Sequence, residues 1–119
     1  ITAKKESKPF VEIWGTGKPK REFMHVNDLA DTCFFLMNNY DERGIINAGT
    51  GKDISITELA WLIKKITDYK GEIKTNESKP DGTPQKLLDV SKINNLGWQA
   101  CISLEDGIKQ VYDEVKEIF

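Results

Sequence analysis

Phe10-Val11-Glu12-Ile13-Trp14-Gly15-Thr16-Gly17-Lys18-Pro19, continuing Lys20-Arg21-Glu22-Phe23-Met24-His25-Val26-Asn27-Asp28-Leu29-Ala30, is the stretch whose reading decides the fold. Its first five residues alternate apolar and polar side chains, the period-two pattern of a half-buried strand. Two glycines and a proline then make a turn. Arg21 to Val26 reads as a short extended stretch, and Asn27 or Asp28 can cap the helix that follows. Behind that cap, Leu29, Ala30, Cys33, Phe34, Leu36 and Met37 recur at helical spacing and predict a broad buried face.

Outward from this stretch the pattern repeats. Ile45-Ile46-Asn47-Ala48 reads as a short strand closed by Gly49-Thr50-Gly51. Ser55 and Glu58 have the S-x-x-E spacing of a capping box, with Leu59, Leu62, Ile63 and Ile66 behind it at i, i+3, i+4 and i+7. Residues 72–77 alternate as a strand, and residues 78–84 are a polar loop with two prolines and a glycine. Residues 86–90 are extended, and Ser91 starts a helical turn ending near Gly97. Ser103 opens a last helix with Leu104, Ile108, Val111, Tyr112, Val115 and Ile118 on one face. Short strands interleaved with helices indicate an α/β or α+β arrangement. The strands are few and short, so about three main helices and no complete doubly wound sheet are expected.

The 119 residues bound this to one compact domain by size. Seventeen basic and nineteen acidic side chains leave a net charge of −2, which argues against nucleic acid or an anionic membrane as partner. No apolar run approaches the roughly 20 residues of a membrane span. The first residues, Ile1-Thr2-Ala3-Lys4-Lys5-Glu6, lack both an initiator Met and a signal-peptide core, so a piece of something longer is expected. Cys33 and Cys101 form no C-x-x-C pair, and with one histidine no metal cluster is expected. Two reduced thiols in a cytoplasmic protein are the expectation.

Glycine-rich loops are tested first for cofactor chemistry. Gly15-x-Gly17-Lys18 runs into Pro19 where a P-loop has Ser or Thr, and Gly49-x-Gly51 lacks the third glycine of a dinucleotide fingerprint. Both read as turns. Lys18, Lys20 and Arg21 place three cations within four residues, beside Trp14. A guanidinium grips phosphate oxygens with paired hydrogen bonds, and an indole packs against a planar or sugar face. In the stiff loop Lys79-Pro80-Asp81-Gly82-Thr83-Pro84, Asp81 can accept hydrogen bonds from ligand hydroxyls and Lys79 can meet a phosphate. Taken alone, each segment also reads as an ordinary surface turn. His25 reads as structural. Tyr112 and Lys116 have Y-x-x-x-K spacing, but Tyr112 falls on an apolar helix face and reads as core.

Together these segments resemble the extended short-chain dehydrogenase/reductase family of nucleotide-sugar enzymes. The block from Trp14 to Ala30, Asn47-Ala48-Gly49-Thr50-Gly51 and Ile56-Thr57-Glu58-Leu59-Ala60 are shared widely in that family. The run Ser78 to Ser91, Leu96-Gly97-Trp98 and residues 102–108 narrow the resemblance to its NADPH-dependent epimerase-reductases of GDP-sugars. The resemblance implies an α/β fold in which residues 1–119 form a C-terminal substrate-binding lobe. The NADP-binding Rossmann domain, with all the catalytic groups, would then lie outside this chain. It also implies that Trp14 contacts substrate, Arg21 binds the nucleotide diphosphate and Asp81 contacts the GDP-sugar, with Lys79 a further candidate. No cofactor-binding, catalytic or metal-ligating residue is expected here; the full enzyme is expected to be a cytoplasmic homodimer, and this segment alone inactive. Gln85 stands where the family usually has Arg, which removes a charge near the expected phosphate site. Another nucleotide-sugar epimerase or dehydratase, or a non-catalytic sugar-nucleotide binding module, are the alternative readings.

Overall fold

The computed structural model describes residues 1–118. In chain order the elements are α1 (Thr2–Lys5), β1 (Phe10–Trp14), β2 (Lys20–Glu22), α2 (Val26–Asn39), β3 (Asp53–Ser55), α3 (Ile56–Thr67), β4 (Glu72–Asn76), β5 (Gln85–Lys86), α4 (Ser91–Asn95) and α5 (Leu104–Val115). Strands β1 and β4 form a parallel pair, with Trp14 opposite Asn76. β2 is the middle of a second, three-stranded sheet, antiparallel to β3 and parallel to β5. This is an α/β chain with two small sheets and three long helices, and no sheet among the described residues closes on itself.

The helix starts follow from local chemistry. The Ser55 hydroxyl accepts the Glu58 amide while the Glu58 carboxylate takes the Ser55 amide, so the capping box of α3 is complete. Ser103 caps α5 through the Asp106 amide. Asp68, in the left-handed region at φ 52°, ends α3. α5 approaches residue 25 closely because Gly107 has no side chain: a Cβ there would lie 3.1 Å from His25 Cδ2.

Four expectations need correction. His25, not Asn27 or Asp28, caps α2, its Nδ1 accepting the Asn27 amide at 3.2 Å. The face of α2 predicted to be buried is open: Phe34 is 69% and Met37 84% exposed, and Leu29 and Cys33 are exposed too. Residues 45–48 form no strand, and Ile45 is 90% exposed. The extended stretch expected over 86–90 is ladder-paired only at Gln85–Lys86.

The second and third share one cause: burial and strand pairing need a neighbour, and the described residues do not supply one there. What α2 packs against within this chain is residues 98–102, and it does so through its polar edge. Asp28 is 3% exposed and accepts the amides of Cys101 and Ile102, and Asp31 accepts the Trp98 indole N–H. Periodicity marks which residues are apolar; it does not say what covers them.

The buried apolar side chains are few: Ile13, Tyr69, Ile93 and Trp98. The radius of gyration is 17.1 Å, whereas a compact domain of this length has about 13.5 Å. Much apolar surface therefore remains uncovered within the described residues, the α2 face foremost.

Candidate functional site

Parallel neighbours end at the same edge, so the turn leaving β1 and the loop leaving β4 emerge side by side. Gly15 donates its N–H to the Asn76 carbonyl at 2.9 Å and starts the turn at φ 78°. A side chain at Gly15 would collide with the Asp81 carboxylate, so that position requires glycine twice over. Trp14 stands 70% exposed beside the turn. The Lys79 ammonium lies 5.6 Å from its ring centroid, within cation–π range.

Thr16 links the two segments. Its backbone N–H donates to Asp81 Oδ1 at 2.8 Å and its hydroxyl to Oδ2 at 2.7 Å. The Thr16 hydroxyl and amide, with a smaller contribution from Lys18, hold the Asp81 carboxyl below the usual carboxylate range.

Arg21 approaches the same loop from the other sheet. The Lys20 amide bonds the Pro84 carbonyl at 2.8 Å, and Arg21 Nη1 bonds the carbonyls of Thr83 at 2.7 Å and Lys20 at 2.6 Å. Gly82 leaves room for this: a Cβ there would sit 3.0 Å from Arg21 Nη2. Among the described residues Nε and Nη2 of Arg21 have no hydrogen-bond partner. Between turn and loop lies a cavity of about 140 Å³ lined by Lys18, Pro19, Asp81, Gly82 and Pro84. Small-molecule pockets span roughly 300–1,000 Å³, so this cavity is too small to enclose a nucleotide-sized ligand by itself. The structure thus brings Trp14, Lys79, Asp81 and Arg21 onto two touching segments.

Several polar roles were not visible in the sequence. Thr16 is one; its partner lies 65 positions away. Glu22 is another: Oε1 accepts the amides of Thr50 and Gly51, and Oε2 accepts the amide of Leu88. One carboxylate therefore ties the 49–51 loop and the 87–90 segment to β2. Gln85, expected near a phosphate, instead donates to Asp53, whose other oxygen lies 3.9 Å from Lys20 Nζ.

Cys33 and Cys101 are free and exposed, and the hydrogen bond and charge of Asp28 raise the Cys101 thiol above its ordinary range. Lys116 pairs with Asp113 at 2.7 Å, while the Tyr112 hydroxyl is met by Lys4 at 3.4 Å. The Gly15–Gly17 turn leads into β2 and the Gly49–Gly51 loop into β3, so neither opens directly into a helix N-terminus. Among the described residues no three His, Cys, Asp or Glu side chains are grouped to hold a metal ion.

Comparison with known proteins gives this geometry a lineage. Residues 1–49 match the NAD dependent epimerase/dehydratase family. The GDP-L-fucose synthase 1 of Arabidopsis thaliana is 48% identical over 103 residues, which cover 87% of this chain and 32% of that protein. By sequence, the chain is a relative of GDP-L-fucose synthases. Two solved structures share the fold. A GDP-6-OMe-4-keto-L-xylo-heptose reductase from C. jejuni superposes with a TM-score of 0.85 at 45% identity, over 94% of this chain and 35% of that one. A GDP-L-fucose synthetase from Naegleria fowleri, bound to NADP, gives 0.87 at 27% identity, over 98% and 38%. The chain spans about a third of the length of the GDP-L-fucose synthases it matches.

Proposed function

We propose that this chain is the substrate-binding lobe of an NADP-dependent epimerase-reductase that converts GDP-4-keto-6-deoxy-D-mannose to GDP-L-fucose. Arg21 neutralises the diphosphate, Trp14 packs against the ligand, Asp81 accepts its hydroxyl donors, and Lys79 supplies a second cation near the indole. The observation that carries the reading is that residues 14–21, with Trp14 and Arg21, are bonded to residues 79–84, with Lys79 and Asp81, through the Lys79–Trp14, Thr16–Asp81 and Arg21–Thr83 contacts. Anchoring the nucleotide end lets binding energy distant from the reacting carbons orient the sugar.

The catalytic groups and the NADP site belong, in this reading, to a cofactor-binding domain that precedes the lobe. Its docking face is the open apolar side of α2 together with the unpaired 45–48 segment, whose exposed Phe34, Met37 and Ile45 otherwise face water. The lobe alone is inactive, and the whole enzyme is a cytoplasmic homodimer. No helix of the described residues is long and apolar enough to cross a membrane, which fits that setting.

A second reading is favoured by one observation: the C. jejuni GDP-heptose reductase is about as similar to this chain as the fucose synthases are. That reading keeps the GDP site and changes the sugar. The test is turnover of GDP-4-keto-6-deoxymannose by the full-length protein with NADPH, alongside Kd for GDP-L-fucose in an Arg21→Ala variant. GDP-L-fucose as product, and binding weakened by roughly 1.5–3 kcal/mol, is the expected result. Turnover of a 4-keto GDP-heptose alone selects the second reading, and an unchanged Kd in Arg21→Ala overturns the site.

A further inference from the structure

We propose that Thr16 is a positioning residue for ligand binding: its amide and hydroxyl orient the Asp81 carboxylate so that the free lone pairs of both oxygens face the sugar hydroxyls of a GDP-sugar. The inference rests on the reading given under Proposed function and adds to it a residue that touches no ligand itself.

Three features show that the Thr16–Asp81 contact is built rather than incidental. First, it has two points, one donor on each carboxylate oxygen, at 2.8 and 2.7 Å. Two such bonds fix the plane of the carboxylate as well as its place, whereas one would leave it free to rotate. A carboxylate has about four acceptor positions, so one on each oxygen remains for a ligand.

Second, the donor is itself oriented. The Lys18 amide donates to the Thr16 hydroxyl oxygen at 3.2 Å, which occupies a lone pair and leaves the hydroxyl proton for Asp81. The β-branched side chain of threonine is also stiff at χ1. Third, the turn is shaped around this residue. Gly15 and Gly17 flank it at φ 78° and 71°, a left-handed backbone that aims the Thr16 N–H and its side chain at the same acceptor.

Without the clasp, Asp81 would sit in a loop with a glycine on its C-terminal side and no other side-chain partner among the described residues. Pro80 and Pro84 stiffen the loop's ends, yet neither orients the carboxylate. The charged group that acts on it is Lys18 across the turn, which attracts the carboxylate without fixing its plane; Lys79 lies over the Trp14 ring and Arg21 is bonded to the Thr83 carbonyl.

The experiment uses the full-length protein and GDP-L-fucose as probe, with Kd measured by calorimetry for Thr16→Val, Thr16→Ser, Asp81→Asn and the Thr16→Val/Asp81→Asn double variant. Thr16→Val is expected to weaken binding about three- to tenfold, the scale of one hydrogen bond. Thr16→Ser, which keeps the hydroxyl, should restore most of the affinity, and the double variant should bind no more weakly than Asp81→Asn alone. With substrate, the loss should fall mainly on KM. Three outcomes overturn the proposal: Thr16→Val binding like the wild type while Arg21→Ala is weakened, Thr16→Ser as impaired as Thr16→Val, or fully additive losses in the double variant. If Arg21→Ala and Asp81→Asn are also without effect, the ligand site itself fails and this inference fails with it.

Discussion

The Asp28 carboxylate on α2 receives the backbone N–H of Ile102 at 3.0 Å, joining residues 74 positions apart at a point that is almost fully buried. The Cys101 amide and thiol donate to the same carboxylate, at 3.3 and 3.2 Å. Burial pushes the Asp28 pKa up, but these donors outweigh it and the group titrates below its ordinary range.

That balance sets a pH dependence. A carboxyl whose folded pKa is depressed contributes stability that is complete above its unfolded value of about 3.9, and loses it as pH falls through the lower folded value. Asp28→Asn places an amide group against backbone donors and is expected to cost about 1–3 kcal/mol at neutral pH. Urea midpoints measured from pH 7 to 3 check both points. The wild type should lose part of its advantage over the variant only below about pH 4, and a constant gap across that range would refute the assignment.

Asp31 and Trp98 make a second bond of this kind, indole Nε1 to Oδ2 at 2.8 Å. Trp98 is 5% exposed, so Asp31→Ala strands an indole N–H away from water. The expected loss is about 1–3 kcal/mol, read as a lower urea midpoint. Trp98→Phe in the Asp31→Ala background should recover part of it, because the orphaned donor is then removed as well.

Ser55→Ala tests the α3 cap. Removing the hydroxyl frees the Glu58 amide and breaks the side-chain half of the capping box, at an expected cost of about 1 kcal/mol. Ser55→Asp, which keeps an N-cap acceptor, should retain most of the stability. Equal losses in both variants would mean that α3 is held by packing alone.

Much of this fold was legible because its signals are local. Ser55-x-x-Glu58, the glycines at 15 and 17, and the alternation over 72–76 each lie within a few residues, and each gives the element or turn expected there. His25 was missed as a cap because histidine is an uncommon acceptor at that position, although its Nδ1 serves when unprotonated. The α2 face and the 45–48 segment were misread for a different reason: burial and strand pairing depend on a neighbour, and local pattern cannot show whether this chain supplies one.

The site divides in the same way. Trp14, Arg21, Lys79 and Asp81 stood out by residue type, within two segments that composition alone marks as turns. That these two segments touch depends on the Thr16–Asp81 contact across 65 positions, and the tie of Glu22 to Thr50 crosses 28; no spacing rule predicts either.

The parallel register of β1 with β4 has a consequence for how the following loops can vary. Because Trp14 stands opposite Asn76, the loop that follows β4 leaves the strand pair directly beside the indole-bearing residue. Residues 78–84 also hold β2, through the Thr83 carbonyl on Arg21 and the Pro84 carbonyl on the Lys20 amide, so rewriting that loop should disturb the cations of the second sheet as well as the neighbours of Trp14.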